Sequence, residues 1–464
     1  MSSRFRSAPS VIEMYQVATI IDRMSGDFVK GAKGETILNG GISFMTGVGA
    51  RGNMGKTLVM ICMLLIILDR YKQSTAMIYD TEITLQYARL LGLAKQQAPE
   101  LLDIAERVIE RFTLTDKRIY NGTEFFNEIK AEVQDRIVKG DKIKLELPMI
   151  GLDDLPLKVF PPFVIGFDSY SGFQSQSQMS YQEKNIGESD RNMEAMRDAA
   201  AKTQMLSELV TLASSGGIIA LLTAHMGDEH KIDPYAPSTK KLSFLKNGVK
   251  FKRVPENFTF LTGNTMVIAD MEVLKDRNTK TVLYPRSQTD DLGGDTDLQE
   301  LTMGNYRNKF GVSGIPYHLV VSQREGISNA LTNFNLLRRY AKFGISGNDR
   351  TYFLDIYPEV TLSRTTIRGK VESDPKLRRA LEITAQLALE HMLAPDLPKE
   401  YLCGSKELYE GVTASGFDWD TILTKSREYW LFDNYNQPLG YLSIRDLLNM
   451  RKGIYKPYWW DELK

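Results

Sequence analysis

The sequence predicts an α/β protein built on a mostly parallel sheet, with a short N-terminal arm and a helical C-terminal domain. Three observations carry this. From Thr36 onward apolar strands alternate with helical stretches, the pattern of a parallel sheet covered by helices. A glycine-rich turn joins the first apolar strand to the first apolar helix. From about Phe343 the pattern turns helical and aromatic-rich, ending in YKPYWWDELK.

Residues 1–35 read as the arm: Val11 to Met24 places apolar side chains at helical spacing, and the Gly/Lys-rich GDFVKGAKGE comes next. The core, 36–342, opens as ILNGGISFMTG, VGARGNMGKT, LVMICMLLIILDRY and TAMIYDTE, a strand, turn, helix and strand. A helix is predicted over Thr123–Val138, and KIKLELPMIGLDDLPLKVFPP reads as a hairpin inserted before the strand FVIGFD. The Ser/Gln-rich SGFQSQSQMSYQEKNIGE reads as a loop. A helix from about Asp190 to Ala213 then leads to the strand GIIALLTAH. TMVIADMEVL, TVLYP and YHLVVSQ extend the sheet before the C-terminal domain, 343–464.

The chain has 464 residues, 42% hydrophobic and 25% charged, which excludes a disordered or fibrous protein. Fifty-eight Lys and Arg balance fifty-eight Asp and Glu, so any nucleic-acid contact must come from local charge. Cys62 and Cys403 make no disulfide framework and no C-x-x-C, which points to a reducing interior. The longest apolar run, Leu58 to Leu68, falls short of the ~20 residues a membrane span needs. The N-terminus lacks an apolar stretch with a small-residue cleavage site. The expectation is a soluble, cytoplasmic protein with no membrane partner.

Ala50, Arg51, Gly52, Asn53, Met54, Gly55, Lys56 and Thr57 form a candidate phosphate loop between strand and helix. The pattern G-x-x-x-x-G-K-[ST] has Ala50 at its first glycine, with Gly49 one position earlier. Such a loop converges backbone N–H groups on phosphate oxygens at a helix N-terminus. Lys56 would neutralise the β- and γ-phosphates, and the Thr57 hydroxyl would ligate Mg²⁺. The alternative is a glycine-rich turn with a chance Gly-Lys-Thr. ATP and Mg²⁺ are the expected nucleotide and metal.

A nucleoside triphosphatase also needs a metal-holding acid and a group that orients water. Asp168 ends the apolar strand FVIGFD and would bind Mg²⁺ through water. Glu82, just beyond the strand MIYD, could align or deprotonate the attacking water. Taken alone, Glu82 reads equally well as a solvated or helix-capping residue, while for Asp168 the plain strand-end reading is the lesser one.

The segment YDTEITLQYARLLGL resembles the stretch after the second core strand of the RecA recombinase family, and its Y-D-[ST]-E form looks most like the phage UvsX branch. The resemblance implies a RecA-like P-loop NTPase core, with Glu82 as catalytic carboxylate and Tyr87 near the adenine. AAKTQMLSELVTLASSGGIIALLTAH is similar to the family's next helix and strand. It implies that His225 senses the γ-phosphate, with Ala224 in place of the family's Asn. NYRNKFGVSGIPYHLVVSQREGISNALTNFNLL resembles a strand whose two cations reach the neighbouring subunit's phosphates. Arg307 and Lys309 occupy those positions and would act as arginine fingers do, making hydrolysis depend on assembly. The likeness covers roughly 36–345, and the arm would then serve oligomerisation.

The same resemblance implies two DNA-facing loops, near 171–190 and 226–258. The second carries Lys240, Lys241, Lys246, Lys250, Lys252 and Arg253, interleaved with Phe244 and Phe251. Cations attract backbone phosphates and aromatics sit against bases. A solvated charged face is the plain alternative. The first loop has few cations, so its contacts would come from Ser, Gln and backbone.

Together these residues lead to the expectation of an ATP-dependent strand-exchange protein. It would form a filament on single-stranded DNA, pair it with homologous duplex DNA, and meet single-strand-binding and mediator proteins inside a host cell. A hexameric helicase shares this core, but usually carries a substantial domain before it, where only about 35 residues stand here. A non-enzymatic ATP-gated filament protein is the rival of another class. A small-molecule kinase fits less well, since no lid pattern stands out.

Overall fold

The computed structural model describes residues 12–97, 105–116, 121–151, 153–174, 191–229, 242–276, 279–286, 297–348 and 350–463. Lys240, Lys241, residues 175–190 of the first loop and residues 1–11 of the arm lie outside them.

Helix α1 (Thr19–Ser25) and a hairpin of β1 (Asp27–Lys30) and β2 (Thr36–Asn39) precede the core. The helix is shorter than the apolar spacing predicts. Asp22 accepts the N–H groups of Val17 and Ala18 at 2.7 and 3.2 Å, which ends it at Thr19, and Tyr15 bridges instead to Ile42. Met14 to Gly26 are all buried on this chain's own body.

The core continues with β3 (Met45–Ala50), α2 (Lys56–Arg70), β4 (Thr75–Asp80), α3 (Tyr87–Gln97), α4 (Ala105–Glu110), β5 (Phe112–Asp116) and α5 (Gly122–Lys139). The inserted hairpin is present as β6 (Leu145–Ile150) and β7 (Pro156–Val159). Then come β8 (Phe163–Asp168), α6 (Arg191–Gly216), β9 (Ile218–Asp228), β10 (Val249–Phe251) and the single turn α7 (Phe258–Leu261). The sheet is completed by β11 (Asn264–Val273), β12 (Leu298–Asn308), β13 (Pro316–Ser322) and β14 (Gly326–Ile327), and α8 (Asn329–Arg339) comes after it.

These strands lie in the order β14-β13-β12-β11-β3-β9-β8-β4-β5. From β11 to β5 every pairing is parallel, while β12, β13 and β14 add antiparallel strands at one edge. The fold is therefore α/β with a mostly parallel sheet. The central strands β3 and β8 are buried throughout, which suits their mostly apolar, non-alternating sequences. Leu58–Leu68 of α2 is buried on every face, so the longest apolar run is the helix at the centre of the core. No helix among the described residues is long and apolar enough to cross a membrane.

TVLYP is not a strand. It forms a lone Lys275–Val282 bridge just past β11, and the place beside β11 goes to β12, an 11-residue strand. Largely buried over Leu298–Asn305, it pairs with both β11 and β13.

Past Phe343 stand three short strands, β15 (Ile345–Gly347), β16 (Tyr352–Leu354) and β17 (Tyr357–Leu362). They are followed by the helices α9 (Ile367–Ser373), α10 (Pro375–Leu393), α11 (Ser405–Ala414), α12 (Trp419–Lys425) and α13 (Ile444–Arg451). This region is helical with a small sheet added, and its packing does not respect a border at 343. One apolar cluster joins Leu274, Leu298, Val320 and Phe334 to Leu381, Leu408 and Leu447. Trp430 lies 4.8 Å from the Tyr71 ring at the end of α2.

Candidate nucleotide site

Ala50, Asp80, Asp168 and His225 fall on the same rim of the sheet, because parallel register sets Ala50 opposite His225 and Asp80 opposite Asp168. That rim is where the carboxyl ends of the strands point, the usual ligand edge of an open α/β sheet. Ala50 is itself the last, fully buried residue of β3, so the loop proper runs from Arg51 to Gly55. Gly49 has no room for a side chain: a Cβ would meet the Phe251 ring at 2.4 Å. Gly55 sits at φ +74° just before α2, a left-handed turn that glycine adopts without cost. Gly52 and Asn53 are exposed, leaving the loop open to a ligand.

Lys56 and Thr57 open α2. Lys56 is 5% exposed, and its Nζ lies 3.6 Å from Glu82 Oε1. The same Glu82 oxygen lies 2.9 Å from His225 Nε2. The hydrogen bond from His225 holds the Glu82 carboxyl down at about 2, with the Lys56 charge adding to it against partial burial. Thr57 Oγ1 donates to Asp168 Oδ2 at 2.6 Å, and Thr223 Oγ1 donates to Oδ1 at 2.7 Å. Burial raises the Asp168 pKa, opposed by these two hydroxyls. Such a carboxylate gains from a cation beside it.

Two residues here escaped the sequence reading. Asp80 accepts four backbone N–H groups, Glu82 and Ile83 on one oxygen at 3.0 and 2.8 Å, Thr84 and Leu85 on the other at 2.7 and 2.8 Å. It folds the turn that presents Glu82, and an Asp at a strand end before a polar turn is the signal that could have found it. Thr223 lies two residues before His225, so strand alternation turns both toward the same face. In the ATP-hydrolysing role expected from the sequence, Asp80→Ala would slow turnover about 10²-fold through a displaced Glu82, with the KM for ATP little changed. Steady-state kinetics would check this, and an unchanged kcat would contradict it.

The remaining predicted residues lie apart. Tyr87 opens α3, 50% exposed. Arg307 and Lys309 sit at the opposite rim: Arg307 pairs with Thr265, whose neighbour Asn264 pairs with Thr46 at the start of β3. Thr265 itself pairs with Gly47, so three residues of strand, roughly 10 Å, separate the level of Arg307 from Ala50. Arg307 donates to Thr259 O at 3.0 Å and stands 4.9 Å over the Phe260 ring, which is 62% exposed.

Of the cationic segment, Lys246, Lys250 and Arg253 are exposed, and Lys252 lies along Gly227. Lys246 reaches Asp228 and Lys250 reaches Glu229, each at 3.5 Å, so two acids at the end of β9 offset part of the charge. Asp228 also holds Arg51 at 2.5 Å. Phe244 is half-buried, its ring against Gly304, and Phe251 packs within 5.4 Å of Phe258. Both rings pack within the fold.

No family model and no curated protein matches the chain. Among solved structures it is similar to one titled "Crystal structure of the RadB recombinase". That likeness has 14% sequence identity and a TM-score of 0.34, covering 63% of this chain and 93% of the other.

Among the described residues no group of three or more His, Cys, Asp and Glu could hold a metal. Thr57 and Asp168 form an all-oxygen pair, which suits Mg²⁺, an ion that keeps several waters and takes few protein ligands.

Proposed function

We propose that this chain is an ATP-dependent DNA recombinase of the UvsX-like kind. It would form a filament on single-stranded DNA and promote pairing with homologous duplex. The observation that supports this is the placement of two candidate residue sets on opposite rims of the sheet. Lys56, Glu82, His225, Thr57 and Asp168 converge on one, and the cations Arg307 and Lys309 stand on the other.

In this reading the γ-phosphate enters between Lys56 and Glu82 and replaces their 3.6 Å pairing. Lys56, freed from the carboxylate, meets the phosphate oxygens. Glu82, ionised and positioned by His225, takes the proton of the attacking water as its oxygen bonds to phosphorus and ADP leaves. His225 registers whether Glu82 faces a phosphate, and β9 leads from His225 directly to the DNA-facing segment. Mg²⁺, held by Thr57 and Asp168, would neutralise charge on the β- and γ-phosphates. Tyr87 would stack on the base. Arg307 and Lys309 of the next copy would complete the cleft, and Lys240, Lys241, Lys246, Lys250, Lys252 and Arg253 would meet the DNA backbone.

Lys56→Ala tests the reading. ATP turnover with single-stranded DNA is expected to fall by at least about 10²-fold, and strand exchange with it. Undiminished turnover overturns it. Electron microscopy with ATP and single-stranded DNA should show open filaments, and closed rings would favour a helicase.

A further inference from the structure

We propose that Lys202 is a positioning residue that ties the roots of both DNA-facing segments to one helix, so that the two respond to nucleotide as a single body. This rests on the function proposed above and adds the means of coupling.

Lys202 lies on α6, its side chain 4% exposed. Its ammonium donates to Ser171 O at 3.0 Å and to Arg253 O at 3.3 Å, and pairs with Asp198 at 3.0 Å. An ammonium has three donors, and three acceptors meet them. The two carbonyls come from different places. Ser171 lies three residues past Asp168, at the root of the first loop, and Arg253 lies near the end of the second. Tyr170 adds a bond from its hydroxyl to Lys202 O at 2.5 Å.

The Ser171 hydroxyl closes the connection. It accepts the His225 N–H at 3.0 Å and donates to Lys252 O at 3.1 Å, while Lys252 N–H donates to His225 O at 2.8 Å. A shift of β9 at His225 therefore moves Ser171 and Lys252 together, and Lys202 holds the next residue of the second segment. Arg253 sits at φ +55°, a left-handed conformation that a non-glycine residue keeps only where its neighbours impose it. The ammonium on its carbonyl is such a neighbour.

A merely structural lysine would be served by its i,i+4 partner Asp198. Reaching inward to two carbonyls of two segments serves their spacing. A buried cation is costly to pull away from the oxygens that compensate it.

The test uses the full chain carrying Lys202→Met together with Asp198→Asn, which removes the cation without stranding its acid. ATP turnover without DNA, and the KM for ATP, should stay within about twofold of the unmodified protein. Stimulation by single-stranded DNA should fall about tenfold. Lys202→Arg, which can still donate to both carbonyls, should retain most of it. Full stimulation in the double variant, with an unchanged melting profile, overturns the proposal. Should that variant fail to fold, Ser171→Ala decides by the ratio of turnover with DNA to turnover without. A lowered ratio supports the coupling, and an unchanged one sinks it. If the unmodified chain shows no stimulation by DNA, the underlying function fails first, and the first measurement of the series shows it.

Discussion

Alanine at both Arg307 and Lys309 is expected to slow ATP hydrolysis on single-stranded DNA by about 10³-fold, while the isolated chain still binds ATP. Charge supplied to a transferring phosphoryl group is among the largest contributions a side chain can make. These two cations cannot make it within their own chain, since β12 delivers them to the rim opposite the phosphate loop. Each cation has the other and the Phe260 ring for company, and the Lys309 pKa is lowered by burial and by the Arg307 charge. A phosphate brought by another copy would relieve that repulsion. The check is a mixing assay. The Arg307/Lys309 double variant and the Lys56→Ala protein should each be inactive alone. Mixed, they should recover part of the turnover, because one supplies the loop and the other the cations. Activity in the double variant alone, or a mixture as dead as its parts, contradicts assembly across two copies.

Glu82→Gln is expected to lower kcat by about 10²- to 10⁴-fold with ATP binding retained. Glutamine keeps the shape and can still meet His225, but cannot take a proton from water. The carboxylate is far on the ionised side, near 2, so loss of activity between pH 7 and pH 5 would not come from protonating it. An acid depressed in this way stabilises the fold above its ordinary range, and gives that up only as pH falls below the ordinary glutamate value of about 4.3 toward 2. Trapped ATP complexes on DNA should outlive those of the unmodified protein. Normal turnover by Glu82→Gln would remove Glu82 from the chemistry.

The phosphate loop, Asp168 and Glu82 could be proposed from the sequence because apolar runs stop at polar residues there, at or just past strand ends, whereas His225, three residues inside the end of β9, was proposed from the family resemblance. Their union depends only on register, which parallel alternation fixes. Asp80 stayed hidden because its work is done on backbone N–H groups, and no side-chain partner betrays it in a sequence. The acids that offset Lys246 and Lys250 were missed for a related reason: Asp228 and Glu229 lie outside the cationic run and meet it only once β10 folds back on β9. Phe244 and Phe251 looked like base-stacking residues by interleaving, yet Gly304 and Gly49 offer bare backbone to receive them. Lys202 stood in a helix of ordinary polarity and gave no signal. TVLYP had strand-like composition, but β12 is the longer segment and pairs on both sides.

The reversal of β12 has one more consequence. A body that bears its socket on one rim and its plug on the far rim cannot satisfy both by facing its twin across a twofold axis. In the assembly proposed here each copy would stand behind the last, and unless the row closed on itself its ends would show an empty socket and a bare plug. Growth would then have a direction from the first pair onward, set by nothing more than the way a single strand runs.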